Sequence, residues 1–93
     1  MNNIELQNKF VNFINEVKLM VPKENQNKID KRLTNIKDNK YVMMIFICLI
    51  NEKNMDDNII KFIKEFGIEN NEYNYNKILS YYKYFIEIKS ILK

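Results

Sequence analysis

Ten consecutive residues, Tyr41 to Ile50, carry no charged or amide side chain, and any fold of this chain has to find an apolar place for them. The run is about half the roughly 20 residues of a membrane-spanning helix, which points to a protein core. Periodicity does not separate strand from helix in a continuous apolar run. Its length, the paired Met43 and Met44, the helical patterns on either side and the lack of a partner strand decide for a helix. A helix that is apolar all round is expected to be buried on all sides. Residues 41–50 are therefore read as the central helix of an all-α fold, with Cys48 a small hydrophobe inside it.

The flanking segments supply the helices around it. Leu6, Phe10, Phe13, Ile14, Val17, Met20 and Val21 recur at spacings of three and four, which places them on one arc of a helix. That first helix should begin near Asn2 or Asn3, gain a little from the Glu5 to Lys9 pair and end before Pro22. Proline also suits the first position of a second helix, where Glu24 meets the positive end of the dipole. This helix is expected to reach Lys37 with only Ile29, Leu33 and Ile36 as its apolar stripe, and so to lie on the outside. Asp38-Asn39 marks the turn into the central run.

After the run, Asn54 and Asp57 resemble a capping arrangement, and Met55, Ile59, Phe62, Ile63 and Phe66 repeat at helical spacing up to Gly67. Gly67 is placed to take the left-handed conformation, with Ile68 folding back on Ile63 as a Schellman motif requires. A last helix starts around Asn70 or Asn71 and carries two apolar seams. One is Ile78, Tyr81, Phe85, Ile88 and Leu92; the other is Tyr75, Leu79, Tyr82 and Ile86. The expected architecture is a compact bundle of four to five helices, residues 1–93 forming a single helical domain, with part of the second seam exposed.

Composition limits what can be inferred from charge. The chain has no Ala, His or Trp, and Gly67, Pro22, Arg32 and Cys48 are the only residues of their kinds. Asn, Ile and Lys take their place, the pattern of a very AT-rich genome. The formal net charge of +3 comes almost entirely from lysine, so it says little about partners. One cysteine excludes an internal disulfide. The opening residues carry neither a signal-peptide nor a myristoylation pattern, and a cytoplasmic location is expected.

The same composition narrows the chemistry. Without histidine the commonest general base and metal ligand are missing, and no Ser-His or Cys-His dyad can be built. Cys48, between Ile47 and Leu49, lacks the electropositive setting of a reactive thiol. Glu52, Asp56 and Asp57 cluster, but at no calcium-loop spacing, and acidic groups in a first turn stabilise the helix dipole. A single glycine cannot build a phosphate-cradling loop. The expectation is a protein that is not an enzyme and uses no cofactor, metal or small-molecule substrate.

Function then means binding, and two surfaces are candidates. Tyr75, Leu79, Tyr82 and Ile86 form a tyrosine-containing seam suited to a protein partner or a second copy of the chain. Lys28, Lys31, Arg32, Lys37 and Lys40, diluted by Asp30 and Asp38, form the densest basic stretch, and on an exposed helix Lys28, Lys31, Arg32 and Lys37, with Asn25 and Asn35 on the face of Lys28 and Arg32, would contact phosphates and base edges. A small structural or adaptor protein is the leading expectation, and a nucleic-acid-binding module is the alternative.

The opening pattern Phe10-x-x-Phe13-Ile14-x-x-Val17-x-x-x-Val21-Pro22, followed by further short amphipathic helices, resembles small uncharacterised helical proteins of large nucleocytoplasmic DNA viruses over about a quarter of the chain. The resemblance transfers no activity and gives no residue a role. It implies a setting, the host cytoplasm or the virion, in which a small subunit serves a larger assembly.

Overall fold

The three-and-four spacing of the apolar residues resolves into five α-helices. In the computed structural model, which describes residues 3–38 and 40–91 and the side chains of residues 5–32 and 44–90, α1 spans Asn3–Met20, α2 Gln26–Asp38, α3 Lys40–Leu49, α4 Met55–Phe66 and α5 Glu72–Ile91. Short 3-10 turns at Lys23–Asn25 and Glu52–Asn54 lead into α2 and α4. No strand occurs among the described residues, and the fold is the all-α bundle the sequence predicts. The side chains of Asn2, Asn3, Leu33, Ile36, Lys37 and Leu92, to which the sequence gives roles, lie outside the described residues.

The core is built from one stripe of α1, one of α4 and both seams of α5. Leu6, Phe10, Phe13, Ile14 and Val17 enter it from α1, Ile59, Phe62, Ile63 and Phe66 from α4, and Ile78, Tyr82, Phe85 and Ile88 from α5. Phe13 is fully buried where the rings converge. The centroids of Phe10, Phe46, Phe62, Tyr81, Tyr82 and Phe85 all lie 5.2 to 6.4 Å from its own, a range in which tilted and edge-to-face pairs add to simple burial.

The central position belongs to α5, which packs against α1, α3 and α4. This corrects the reading of residues 41–50 as a helix buried on all sides. In α3, Ile47 and Ile50 just beyond it are buried and Phe46 is half-buried, but Ile45 is 59% exposed, Leu49 73%, and Cys48 is exposed as well. The side chains of residues 41–43 are outside the described set. A helix is covered on only as many sides as it has neighbours, and α3 packs against α2 and α5 and, through Phe46, against Phe10 and Phe13 of α1, which leaves the side of Ile45 and Leu49 open.

The helix ends show what fixes these packings. Gly67 adopts φ 67° and ψ 27°, its N–H donates to Lys64 O at 3.3 Å, and Ile68 N–H donates to Ile63 O at 2.9 Å. These are the two bonds of a Schellman motif, with Ile68 and Ile63 both buried behind it. Asn71 caps α5, its side-chain oxygen accepting from Asn74 N–H at 2.8 Å. Asn54 makes no side-chain cap bond. The cap has moved to Asn51, which accepts from Lys53 N–H at 2.9 Å, because a 3-10 turn precedes α4.

Three helices end against donors from elsewhere in the chain. The last carbonyls of a helix lack internal partners and carry the negative end of its dipole. Gln26 Nε2 donates to Lys18 O of α1 at 3.2 Å. Lys89 Nζ of α5 donates to Cys48 O and Ile50 O at the end of α3, both at 2.9 Å. Asn25 Nδ2 and Lys28 Nζ donate to Phe66 O and Glu65 O of α4 at 3.0 and 2.7 Å. Lys18 Nζ also lies 2.5 Å from Asp30 Oδ1, tying α1 to α2.

Candidate interaction surface

The feature of α3 that the sequence does not mark is a face of apolar residues left in solvent. Ile45, Cys48 and Leu49 follow the spacing that puts them on one side of a helix, and all three are exposed. Soluble surfaces tolerate single apolar side chains, whereas grouped ones mark interaction sites.

Leu49 also rims a cleft between α3 and α4. Its volume is about 180 Å³, and its walls are Phe46, Leu49 and Ile50 on one side and Asn58, Lys61, Phe62 and Glu65 on the other, with Tyr82 of α5 between them. Small-molecule sites occupy roughly 300–1,000 Å³, so this cleft matches protein side chains better than a cofactor. Apolar rings and aliphatic groups line it, while Asn58, Lys61 and Glu65 supply polar atoms, the arrangement of a protein–protein interface with an apolar centre and a polar rim.

The seam singled out on α5 is placed differently from its expectation. Tyr82 is only 3% exposed and belongs to the core, so it is no free surface residue. Burial first, and the Glu65 carboxylate second, push its phenol well above its usual pKa. Leu79 and Ile86 are half-buried against the core. Tyr75 is half-buried too, and its hydroxyl donates to the Asp56 carboxylate of α4, a bond that raises the phenol's pKa. Tyr75 and Tyr82 of the second seam thus meet α4, because the central helix of the bundle is the one that needs two apolar sides.

The basic stretch on α2 is partly engaged inside the molecule. Lys28 donates to Glu65 O and lies 5.9 Å from the centre of the Phe66 ring. Arg32 pairs with the Glu65 carboxylate, an exposed pair of the kind that contributes about 0–1 kcal/mol. Both side chains therefore face the end of α4. Lys31 is exposed, and the Lys37 side chain lies outside the described residues.

Among the described residues no group of three or more Cys, Asp or Glu side chains is close enough to hold a metal ion. No helix among the described residues is long and apolar enough to cross a membrane. Comparisons with protein-family models, with curated proteins and with solved structures find no match to this chain, so the roles of these residues rest on geometry and chemistry alone.

Proposed function

We propose that this chain is a small non-enzymatic structural or adaptor protein that works by protein–protein interaction, and that its contact surface is the exposed face of α3 with the adjoining cleft against α4. The observation that carries the reading is Leu49, a large apolar side chain 73% exposed on the rim of a cleft lined by Phe46, Ile50 and Phe62. A bundle of this size has few core residues to spare, and truncating such an anchor weakens binding far more than it weakens folding. The likeness of the opening pattern to helical proteins of large nucleocytoplasmic DNA viruses makes a viral assembly the first setting in which to look for the partner.

The test compares the parent with the double variant Ile45→Glu/Leu49→Glu. Mass in solution is measured by light scattering, and partner recovery by capture from the source cell. The reading expects the variant to lose an oligomer or a specific partner that the parent retains. Identical mass and identical recovery for both proteins defeat it.

A further inference from the structure

The face of α3 holds a protrusion and a hollow side by side. Leu49 stands out from the helix at 73% exposure, with Ile45 one turn before it at 59%. The cleft that Leu49 rims has a volume of about 180 Å³. An apolar cavity of about 150 Å³ holds a benzene ring, which is larger than a leucine side chain. A leucine therefore fits the hollow, and a leucine stands next to it.

Both features are held in place by the fold. Phe46, Phe62 and Tyr82 give the cleft its aromatic walls, and the centre of the Tyr82 ring lies 6.4 Å from each of the other two. Tyr82 and Ile50 are core residues, so these walls cannot swing away. Lys89 Nζ donates to Cys48 O and Ile50 O, both at 2.9 Å. These carbonyls flank Leu49, and the bonds fix the end of α3 from which it projects. Groups already fixed in a binding geometry lose little freedom on association.

A foreign protein that filled the cleft would still have to supply a hollow for Leu49. A second copy of this chain brings both halves. Contacts about a twofold axis are isologous, residue i meeting residue j where j meets i, so one rotation seats each Leu49 in the cleft of the other copy. The cleft lining carries one charge of each sign, Lys61 and Glu65, so two such linings meet without an excess of like charge. Dimers of this symmetry are also the commonest oligomers of soluble chains.

We propose that this chain forms a twofold-symmetric dimer in which Leu49 of each copy occupies the α3–α4 cleft of the other. The inference rests on the reading of that face as the contact surface and names what covers it. The exposed apolar side chains of α3 that each copy contributes are Ile45, Cys48 and Leu49, which places the contact at the low end of interface size, below about 1,200 Å². The dimer is therefore reversible, and the face is free in dilute solution.

Sedimentation of the full chain is measured from micromolar to millimolar concentration, and the rate at which Cys48 reacts with a thiol reagent is followed alongside. The parent is expected to pass from monomer to dimer as concentration rises, with its thiol reacting more slowly as it does. Leu49→Ala removes the protrusion, and Asn58→Trp, at a half-buried position on the cleft wall, fills the hollow. Each variant should keep its helicity and dimerise roughly 100-fold more weakly, two anchors being lost at about tenfold each. An equal mixture of the two variants joins one intact Leu49 to one intact cleft in each mixed dimer, and should associate within roughly tenfold of the parent. A parent that stays monomeric throughout overturns the proposal. So does a dimer that neither variant weakens, or a mixture that associates no better than its components. With a monomeric parent, loss of a specific partner by Ile45→Glu/Leu49→Glu still upholds α3 as the contact surface for a different protein; where no partner is lost either, both readings fall.

Discussion

Gly67 and Asn25 meet at the end of α4. A Cβ on Gly67 would lie 2.6 Å from Asn25 Nδ2, the same nitrogen that donates to Phe66 O at 3.0 Å. The left-handed turn that stops α4 and the amide that caps it therefore occupy space only a glycine leaves open.

Replacing Gly67 by alanine should cost in two ways. A non-glycine residue in the left-handed region costs about 1–2 kcal/mol, and displacing the Asn25 amide forfeits a hydrogen bond worth about 1 kcal/mol. Gly67→Ala is expected to lower stability in urea by about 2–3 kcal/mol. The same change made on top of Asn25→Ala should cost about 1 kcal/mol less, since the bond is already gone. Equal penalties in the two backgrounds would show that the amide plays no part.

Lys89 is the corresponding residue for α3. Its ammonium binds two carbonyls at the end of that helix, where a cation also meets the dipole. Lys89→Met keeps most of the apolar stem and removes the donors. It should destabilise the protein by about 1–2 kcal/mol and speed amide hydrogen exchange in residues 46–50 more than in α1. Uniform acceleration across all helices would mean that Lys89 contributes to global packing and not to the end of α3.

How much of this was legible from residues alone varied with the range of the interaction. The end of α4 was readable because Gly67, Ile68 and Ile63 are close in sequence and the Schellman motif is local. The stripe of α1 was readable because Asn8, Asn12 and Asn15 mark its wet side. Residues 41–50 contain no such marker, so the side of α3 that faces solvent could not be told from the side holding Ile47. Capping of α4 by Asn25 and Lys28, and of α3 by Lys89, joins residues 37 to 41 positions apart, and nothing in local spacing announces it. The seam Tyr75, Leu79, Tyr82 and Ile86 is legible as apolar from its spacing, but the identity of its cover depends on α5 being central.

Burial of Tyr82 predicts an alkaline limit to stability. Its pKa is raised in the folded protein, above the value near 10 of an unfolded chain. The folded state thus holds the phenolic proton more tightly, and the stabilisation is complete below about pH 10. It is lost as pH rises beyond that, because only the unfolded chain releases the proton, at about 1.4 kcal/mol per pH unit for one group. Urea midpoints between pH 8 and 11.5 should fall, and Tyr82→Phe should make the fall shallower while leaving stability below pH 9 within about 1 kcal/mol. Parallel curves for the two proteins would exclude Tyr82 as the cause.

The solvent-facing side of α3 gives the sharpest contrast between a buried run and an exposed one. If residues 41–50 were enclosed on all sides, a lysine at Ile45 or Leu49 would bury an unpaired charge and unfold a chain of this size. With the observed exposures, Ile45→Lys and Leu49→Lys should each change stability by less than about 0.5 kcal/mol, lysine being as good a helix former as leucine. Ile47→Ala, one position from the pair's face and fully buried, should cost about 2–4 kcal/mol. The exposed Cys48 should react with a thiol reagent in the folded protein without prior unfolding. Severe destabilisation by Leu49→Lys, together with a protected thiol, would mean that another surface, such as a second copy of the chain, already covers this face in solution, and the mass of the parent measured beside the variant would then exceed that of a monomer.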